Sequence, residues 1–135
     1  MIFDDKPAAV NRLDAEAIIW LTTVRTNGQP QTSPVWFLRR DNELLVYSLP
    51  DTARVGNIAA NPKVAMNLDG DGQGGAIVTI EGTARIDHTV APASEVPEYV
   101  TKYRAFIERN GWTPEVFAAR YSTPLVITMN RGRAW

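Results

Sequence analysis

The feature that most constrains the fold is a β-hairpin signal near the start of the chain. The run Ile18 to Val24 consists of β-branched, aromatic and other apolar residues, which favour a well-buried strand. Asn27 and Gly28 follow, and both accept positive φ in a tight hairpin turn. A second extended run, from Gln31 to Arg39, comes directly after the turn. A chain that begins in this way is predicted to build an antiparallel sheet.

Pro34 lies inside the second predicted strand. Proline has no N–H group to donate to a ladder of backbone hydrogen bonds. We therefore expect this point to be a sheet edge, a bulge, or a place where something other than a strand lies alongside.

Four later runs predict further strands and bring the total to six. Their patterns are alternating or fully apolar, and turn residues bound them. They are Leu44 to Ser48, Lys63 to Leu68, Ala76 to Asp87 and Leu125 to Met129. Gly82 permits a bend or a close backbone approach within the long third run.

Helices are predicted between these strands. Asn11 is a possible N-cap for a short helix from Leu13 to Ala17. Asp51 or Thr52 caps a second helix, which must end before Asn61 because that residue precedes a proline. A third helix is indicated by apolar residues at helical spacing from Val96 to Ile107 and ends near Gly111, and a fourth begins at Thr113-Pro114-Glu115.

Short turns between six strands favour a mostly β fold with helical additions, a six-stranded antiparallel barrel, with an open sheet as the competing architecture. The length of 135 residues and the apolar content of 44% predict a single domain over residues 1–135. We expect no membrane partner and a cytoplasmic location, because no run approaches the roughly 20 apolar residues of a spanning helix and the start lacks a basic segment followed by an apolar one.

Several classes of function are excluded by composition. The formal charge is −1, from 14 basic and 15 acidic residues, which argues against a nucleic-acid-binding surface. The chain has no cysteine, so thiolate metal sites, disulfides and cysteine nucleophiles are ruled out. His88 is the only histidine, which excludes a histidine dyad or a multi-histidine metal site.

The start of the second predicted helix carries residues suited to holding a phosphate. Thr52 offers a hydroxyl, Arg54 a bidentate guanidinium, and Asn57 an amide one turn further along the same face. The helix N-terminus adds backbone N–H groups and a positive dipole end. The alternative is that Asp51 pairs with Arg54 while Thr52 merely caps the helix.

The segment Ser33-Pro34-Val35-Trp36 is suited to a flat ring. Such a ring needs backbone groups that a ladder does not consume, and Pro34 removes one ladder donor there. Trp36 or Trp20 would then form a wall of the pocket, unless these tryptophans belong to the core.

Together these motifs resemble a known family. The chain is similar to the split-barrel flavin and deazaflavin oxidoreductases, whose fold is that of pyridoxamine 5'-phosphate oxidase, and most similar to the branch that uses coenzyme F-420. The motifs that carry the resemblance are Trp20-Leu21-Thr22-Thr23, Asn27-Gly28-Gln29-Pro30, Ser33-Pro34-Val35-Trp36-Phe37, Thr52-x-Arg54-x-x-Asn57-Ile58-x-x-Asn61-Pro62-Lys63-Val64 and Ile80-Glu81-Gly82-Thr83-Ala84.

The resemblance implies an FMN-binding type of split barrel that works as a homodimer, with two cofactors where the barrels meet. It implies that Thr52, Arg54 and Asn57 hold the cofactor phosphate, while Ser33 to Trp36 and Ser48 line its ring and ribityl chain. Many relatives have lysine where this chain has Arg54, which keeps the charge. The arginines that bind pyridoxamine phosphate are not found.

The activity implied is hydride transfer from F-420 to an electron-poor small molecule such as a quinone, an enone or a tetrapyrrole, with no obligatory catalytic side chain. FMN is the alternative cofactor. The anionic tail of F-420 would need further cations, either Lys102, Arg104 and Arg109 or Lys6 and Arg12, and each set also suits an ordinary solvated face. A non-catalytic binder of flavin or haem, with His88 as the axial ligand of haem, is the rival from another class.

Overall fold

One antiparallel sheet of seven strands organises the molecule, and the computed structural model describes residues 1–135. The strands are β1 (Ile19–Val24), β2 (Pro30–Val35), β3 (Leu38–Arg40), β4 (Glu43–Ser48), β5 (Lys63–Asn67), β6 (Val78–Ile86) and β7 (Thr123–Ala134). The helices are α1 (Pro7–Ala15), α2 (Ala53–Ala60), α3 (Pro97–Arg109) and α4 (Pro114–Arg120), with a single 3₁₀ turn at Ala93–Glu95. No helix has both the length and the apolar character needed to cross a bilayer.

The order of the strands forces the sheet to curl. The order is β2-β1-β5-β6-β7-β4-β3, so β2 and β3 are the two edges. Only two residues separate the end of β2 at Val35 from the start of β3 at Leu38. Three consecutive Cα–Cα steps span at most about 11 Å, so the end of one edge strand lies close to the start of the other. The result is a half-barrel with helices added, which confirms the predicted fold class.

The strand count is seven because the predicted strand from Gln31 to Arg39 is two strands. At the break, side chains replace the ladder. The N–H of Phe37 donates to the Tyr103 hydroxyl at 2.7 Å, and the Phe37 carbonyl accepts from Lys102 Nζ at 2.8 Å. Pro34 lies in β2, whose only partner is β1, so the prediction of a sheet edge is confirmed.

The first helix and the first turn differ from the predictions. Helix α1 begins at Pro7 and ends at Ala15, because proline at the first helical position needs no N–H partner and has its φ already set. In the hairpin only Gly28 has positive φ, at 87°. The N–H of Arg25 bonds the carbonyl of Gln29 at 2.9 Å, which makes a three-residue loop.

Strand β7 continues past Met129, where the sequence pattern ended it, to Ala134. Its second half pairs with the start of β6, where Val78 lies opposite Ala134. A register shift between Glu81 and Gly82 separates the two halves. A Cβ at Gly82 would lie 2.8 Å from the carbonyl oxygen of Thr128, which confirms the predicted bend and close approach.

The apolar residues form two clusters on opposite sides of β4 and β7. The barrel core fills the curled sheet and comprises Phe3, Ala9, Leu13, Ile19, Leu21, Val35, Phe37, Leu44, Val46, Ile58, Val64, Met66, Leu68, Val78, Ile80, Ala84, Leu125, Ile127 and Met129. The aromatic layer lies between the outer face of the sheet and α3 and α4, and comprises Leu45, Tyr47, Ala93, Val96, Tyr99, Tyr103, Ile107, Phe117, Ala118 and Val126. Strand β4 and the first half of β7 are buried on both faces for this reason.

Candidate functional site

The turn from β4 into α2 leaves the start of the helix without a side-chain cap. Thr52 occupies the N-cap position with extended backbone angles, but its hydroxyl does not cap the helix. That hydroxyl lies 3.2 Å from the Leu49 carbonyl oxygen and 3.0 Å from Ser48 Oγ. The predicted span of this helix is confirmed, and its first turn presents N–H groups that no side chain covers.

The Arg54 guanidinium is fixed by two serines from different strands. It donates to Ser48 Oγ of β4 at 3.2 Å and to Ser33 Oγ of β2 at 2.9 Å. Its Nε is buried and has no hydrogen-bond partner. These two contacts and the one between Thr52 and Ser48 bring together Ser33, Ser48, Thr52 and Arg54 as one polar cluster, which we call the anion cluster.

No carboxylate neutralises the charge of Arg54. Asp51 is exposed and forms no ion pair with it, so the alternative pairing within the helix is not present. Burial lowers the pKa of Arg54, and the nearby Tyr121 phenol acts in the opposite direction. Arginine nevertheless keeps its proton in proteins. The cluster is therefore a half-buried positive charge without a counter-ion.

Thr52 and Arg54 of the anion cluster line a cavity of about 440 Å³, whereas Ser33 and Ser48, which were predicted to line the cofactor, lie behind Arg54 and do not line it. Pro34, Val35 and Trp36 of the predicted ring-binding segment line it, together with Thr52 and Arg54. Its remaining walls are mostly aromatic and are supplied by Tyr47, Tyr99, Trp112, Phe117 and Tyr121, with Ile18, Leu49 and Asn110 beside them. Trp36 stacks on Tyr103 with ring centroids 4.7 Å apart, so its indole is held rigidly.

Asn57 does not join the anion cluster. Its side chain is buried and donates to Thr23 Oγ1 of β1 at 3.0 Å. This contact fixes α2 to the sheet, so the structure gives Asn57 a positioning role, and its assignment to the phosphate stays a prediction. Trp20 is also directed elsewhere, because its indole N–H bonds Asp69 at 2.8 Å and it does not line the cavity.

The other candidate ligands of the sequence lie outside the cavity. His88 is exposed in the turn after β6 and does not line the cavity. Asp71 accepts hydrogen bonds from the N–H groups of Gln73 and Gly75, which closes the glycine loop on itself. No group of acidic or histidine side chains has the arrangement of a metal site.

Five cations were candidates for binding the anionic tail of F-420, and two of them form hydrogen bonds within the protein. Lys102 bonds the Phe37 carbonyl and lies 3.9 Å from the centroid of the Phe37 ring, and burial lowers its pKa to about 8. Arg12 bonds Glu16 and the carbonyls of Ala76 and Asp69. Lys6, Arg104 and Arg109 form no ion pair.

Sequence reasoning missed the part of the site that α3 and α4 supply. Tyr99, Trp112, Phe117 and Tyr121 all line the cavity, although the helical pattern indicated only a buried face. One signal was available: of the 12 aromatic residues in the chain, six lie between residues 99 and 121.

Comparisons with known proteins agree with this fold. A family model described as pyridoxamine 5'-phosphate oxidase matches residues 6–134. Similar solved structures include an F420 reductase, with 21% identity, 91% of this chain and 94% of that chain covered, and a TM-score of 0.66. A FAD-binding protein from Mesorhizobium loti has 19% identity, coverage of 94% and 91%, and a TM-score of 0.66. The heme storage protein HutZ from Vibrio cholerae has 17% identity, coverage of 96% and 93%, and a TM-score of 0.66. These three structures share the fold of the chain.

Proposed function

The chain belongs to the pyridoxamine 5'-phosphate oxidase family, and from this membership we propose that it is an oxidoreductase that binds a phosphate-bearing flavin-type cofactor in the aromatic cavity. We propose coenzyme F-420 as that cofactor, with FMN as the alternative. The substrate class proposed is an electron-poor small molecule, such as a quinone, an enone or a tetrapyrrole.

The observation that carries this proposal is Arg54. A half-buried guanidinium without a carboxylate partner is costly, and this one also holds a buried Nε without any acceptor. A phosphate oxygen is the acceptor that a guanidinium fits best. The two serine hydroxyls accept from Arg54 and fix its guanidinium, and the uncapped start of α2 adds a positive dipole end.

The aromatic half of the cavity fits the ring of such a cofactor. Trp36, Trp112 and Phe117 supply flat apolar walls, while Pro34 leaves β2 without one ladder donor beside them. The volume of about 440 Å³ lies in the range of small-molecule pockets. These walls orient a planar ring and exclude water from its faces.

When bound, a flavin or deazaflavin supplies a hydride to be transferred. This chain's own residues need only hold the phosphate, fix the ring plane and keep water away, because the redox chemistry resides in the cofactor. We assign no general acid or base. A proton needed at the product is proposed to come from solvent.

The preference for F-420 is supported by two points. The F420 reductase is among the structures that share the fold. Arg109 immediately precedes Asn110 of the cavity wall and, with Arg104 on the same helix, remains available for an anionic tail.

Titration of the purified protein with F-420 and FMN, followed by fluorescence, tests the proposal. Arg54→Ala is expected to weaken binding of the preferred cofactor more than tenfold, because a charge-assisted contact contributes about 1.5–3 kcal/mol. Arg54→Lys keeps the charge and should lose less. Arg25→Ala, an exposed arginine in the β1–β2 turn, is the matched control and should bind as the wild type does. Equal affinities of Arg54→Ala and the control would refute the assignment.

We also propose that the working form is a homodimer with the cofactor at the interface, as the family resemblance implies. Sedimentation of the protein with saturating cofactor should then give a mass of two chains and a stoichiometry of one cofactor per chain. A monomer that binds the cofactor with full affinity would contradict this.

A further inference from the structure

Tyr99 stands out among the residues of the cavity wall. It lies on α3, has no exposed surface, and packs edge-to-face on Tyr47 with ring centroids 5.0 Å apart. Its hydroxyl has no hydrogen-bond partner in the protein. Buried polar groups without partners are rare in folded proteins, so this one requires a reason.

The neighbouring buried phenols are all paired. The Tyr47 hydroxyl donates to the Ala91 carbonyl at 2.6 Å. The Tyr103 hydroxyl, one helical turn beyond Tyr99, accepts from the Phe37 N–H and lies 2.8 Å from the Ala17 carbonyl oxygen. Phenylalanine at position 99 would fill the same space without an unpaired hydroxyl. The hydroxyl therefore matches a partner that arrives with a ligand in the cavity.

The surroundings of Tyr99 define what that partner is. Burial, together with the nearby phenols of Tyr103, Tyr47 and Tyr121, raises the pKa of Tyr99 well above 10. The group is thus a neutral, permanently protonated donor in an aromatic wall. A neutral carbonyl oxygen is the acceptor that suits such a donor, whereas the anionic part of a ligand is attracted to Arg54.

We propose that Tyr99 determines specificity for the cofactor ring by donating a hydrogen bond to a ring carbonyl oxygen of the planar compound whose phosphate is held at Arg54. This inference rests on the proposed function and extends it. Arg54 recognises the phosphate, which many metabolites carry. Tyr99 restricts the cavity to those whose ring presents a carbonyl to the inner wall.

Tyr99→Phe and Tyr103→Phe, each titrated with FMN and F-420, test the inference. Tyr99→Phe removes one oxygen atom and should weaken binding of the preferred cofactor about 3- to 10-fold, the range of one neutral hydrogen bond. It should also shift the absorption maximum of the bound ring, which a purely structural change would leave in place. Tyr103→Phe keeps the ring that stacks on Trp36 and removes only a hydroxyl outside the cavity lining, so at a temperature where the variant is folded it should keep the wild-type affinity and spectrum.

Melting temperatures without cofactor give an independent readout. Tyr99→Phe should melt at or above the wild-type temperature, because its hydroxyl has no partner to lose. The inhibition constant of inorganic phosphate, measured by competition with the cofactor, should be the same in wild type and Tyr99→Phe, because Arg54 is intact in both.

The possible failures are distinguishable. If the wild type binds neither FMN nor F-420, the proposed function is overturned and this inference with it. If the wild type binds and Tyr99→Phe has the same affinity and spectrum, only the role of Tyr99 is overturned. A lower melting temperature of Tyr99→Phe without cofactor would show an internal partner for the hydroxyl and would also overturn it.

Discussion

The barrel core and the aromatic layer bury apolar side chains to different ends. The barrel core contains no tyrosine or tryptophan, and the polar side chains buried beside it, Thr23 and Asn57, pair with each other. The aromatic layer includes three buried tyrosines and borders the cavity of about 440 Å³. Small barrels are filled by side chains, so the first cluster serves stability. The second leaves a cavity beside the positive charge of Arg54, which is where the proposed cofactor would bind.

Equally buried residues of the two clusters should differ in whether their truncation weakens cofactor binding as well as stability. Leu21→Ala in the barrel core and Phe117→Ala in the aromatic layer should each lower the free energy of unfolding by about 2–5 kcal/mol. Only Phe117→Ala should also weaken cofactor binding, because Phe117 lines the cavity. Urea unfolding and cofactor titration of both variants, at a temperature where both are folded, measure the difference. Equal losses of affinity would remove the distinction between the clusters.

Within the aromatic layer, the hydroxyls of Tyr103 and Tyr99 should contribute differently to stability. Tyr103→Phe leaves the buried N–H of Phe37 without an acceptor at the crossing between β2 and β3. We expect a loss of about 1–3 kcal/mol of stability, the cost of an unsatisfied buried group. Urea denaturation of Tyr103→Phe beside Tyr99→Phe measures it. If the two variants were equally stable, the crossing would not depend on this hydroxyl.

The smallest expected effect is a dependence of stability on pH at Lys102. Burial lowers its pKa from 10.5 to about 8, with Asp14 and Glu16 acting in the opposite direction. Between these two values the unfolded chain holds a proton that the folded chain has released, so stability should rise as pH increases from about 8 to 10.5. Melting temperatures of wild type and Lys102→Met across this range measure the effect. A rise of the same size in both proteins would show that Lys102 is not its source.

Much of the fold was predictable because its signals are local. Helix α2 lies between Thr52 and Asn61, as the capping residue and the following proline indicated. Helix α4 begins at Pro114, with the Thr113 hydroxyl accepting from the N–H of Val116 at 3.1 Å. By contrast, the break at Trp36 and Phe37 was not predictable, because the apolar run there continues unbroken through two strands that belong to opposite edges.

The candidate site divides in the same way. The sequence placed Thr52 and Arg54 at a helix start and Ser33 beside Pro34, since each of these positions follows from its neighbours in the chain. It did not distinguish Trp36 from Trp20 as the wall of the cavity, nor did it separate Asn57 from the anion cluster. Those outcomes depend on which face of the curled sheet each side chain reaches.

Turn chemistry and hydrophobic periodicity act over a few residues, so the sheet-forming runs, the caps and the cation at the start of α2 follow from the amino-acid sequence alone. The contact of Arg54 with Ser33, 21 positions earlier, and that of Tyr103 with Phe37, 66 positions earlier, arise from the tertiary fold. Contacts over such separations are set by the curl of the sheet and by the packing of α3 on its outer face. No local preference encodes them.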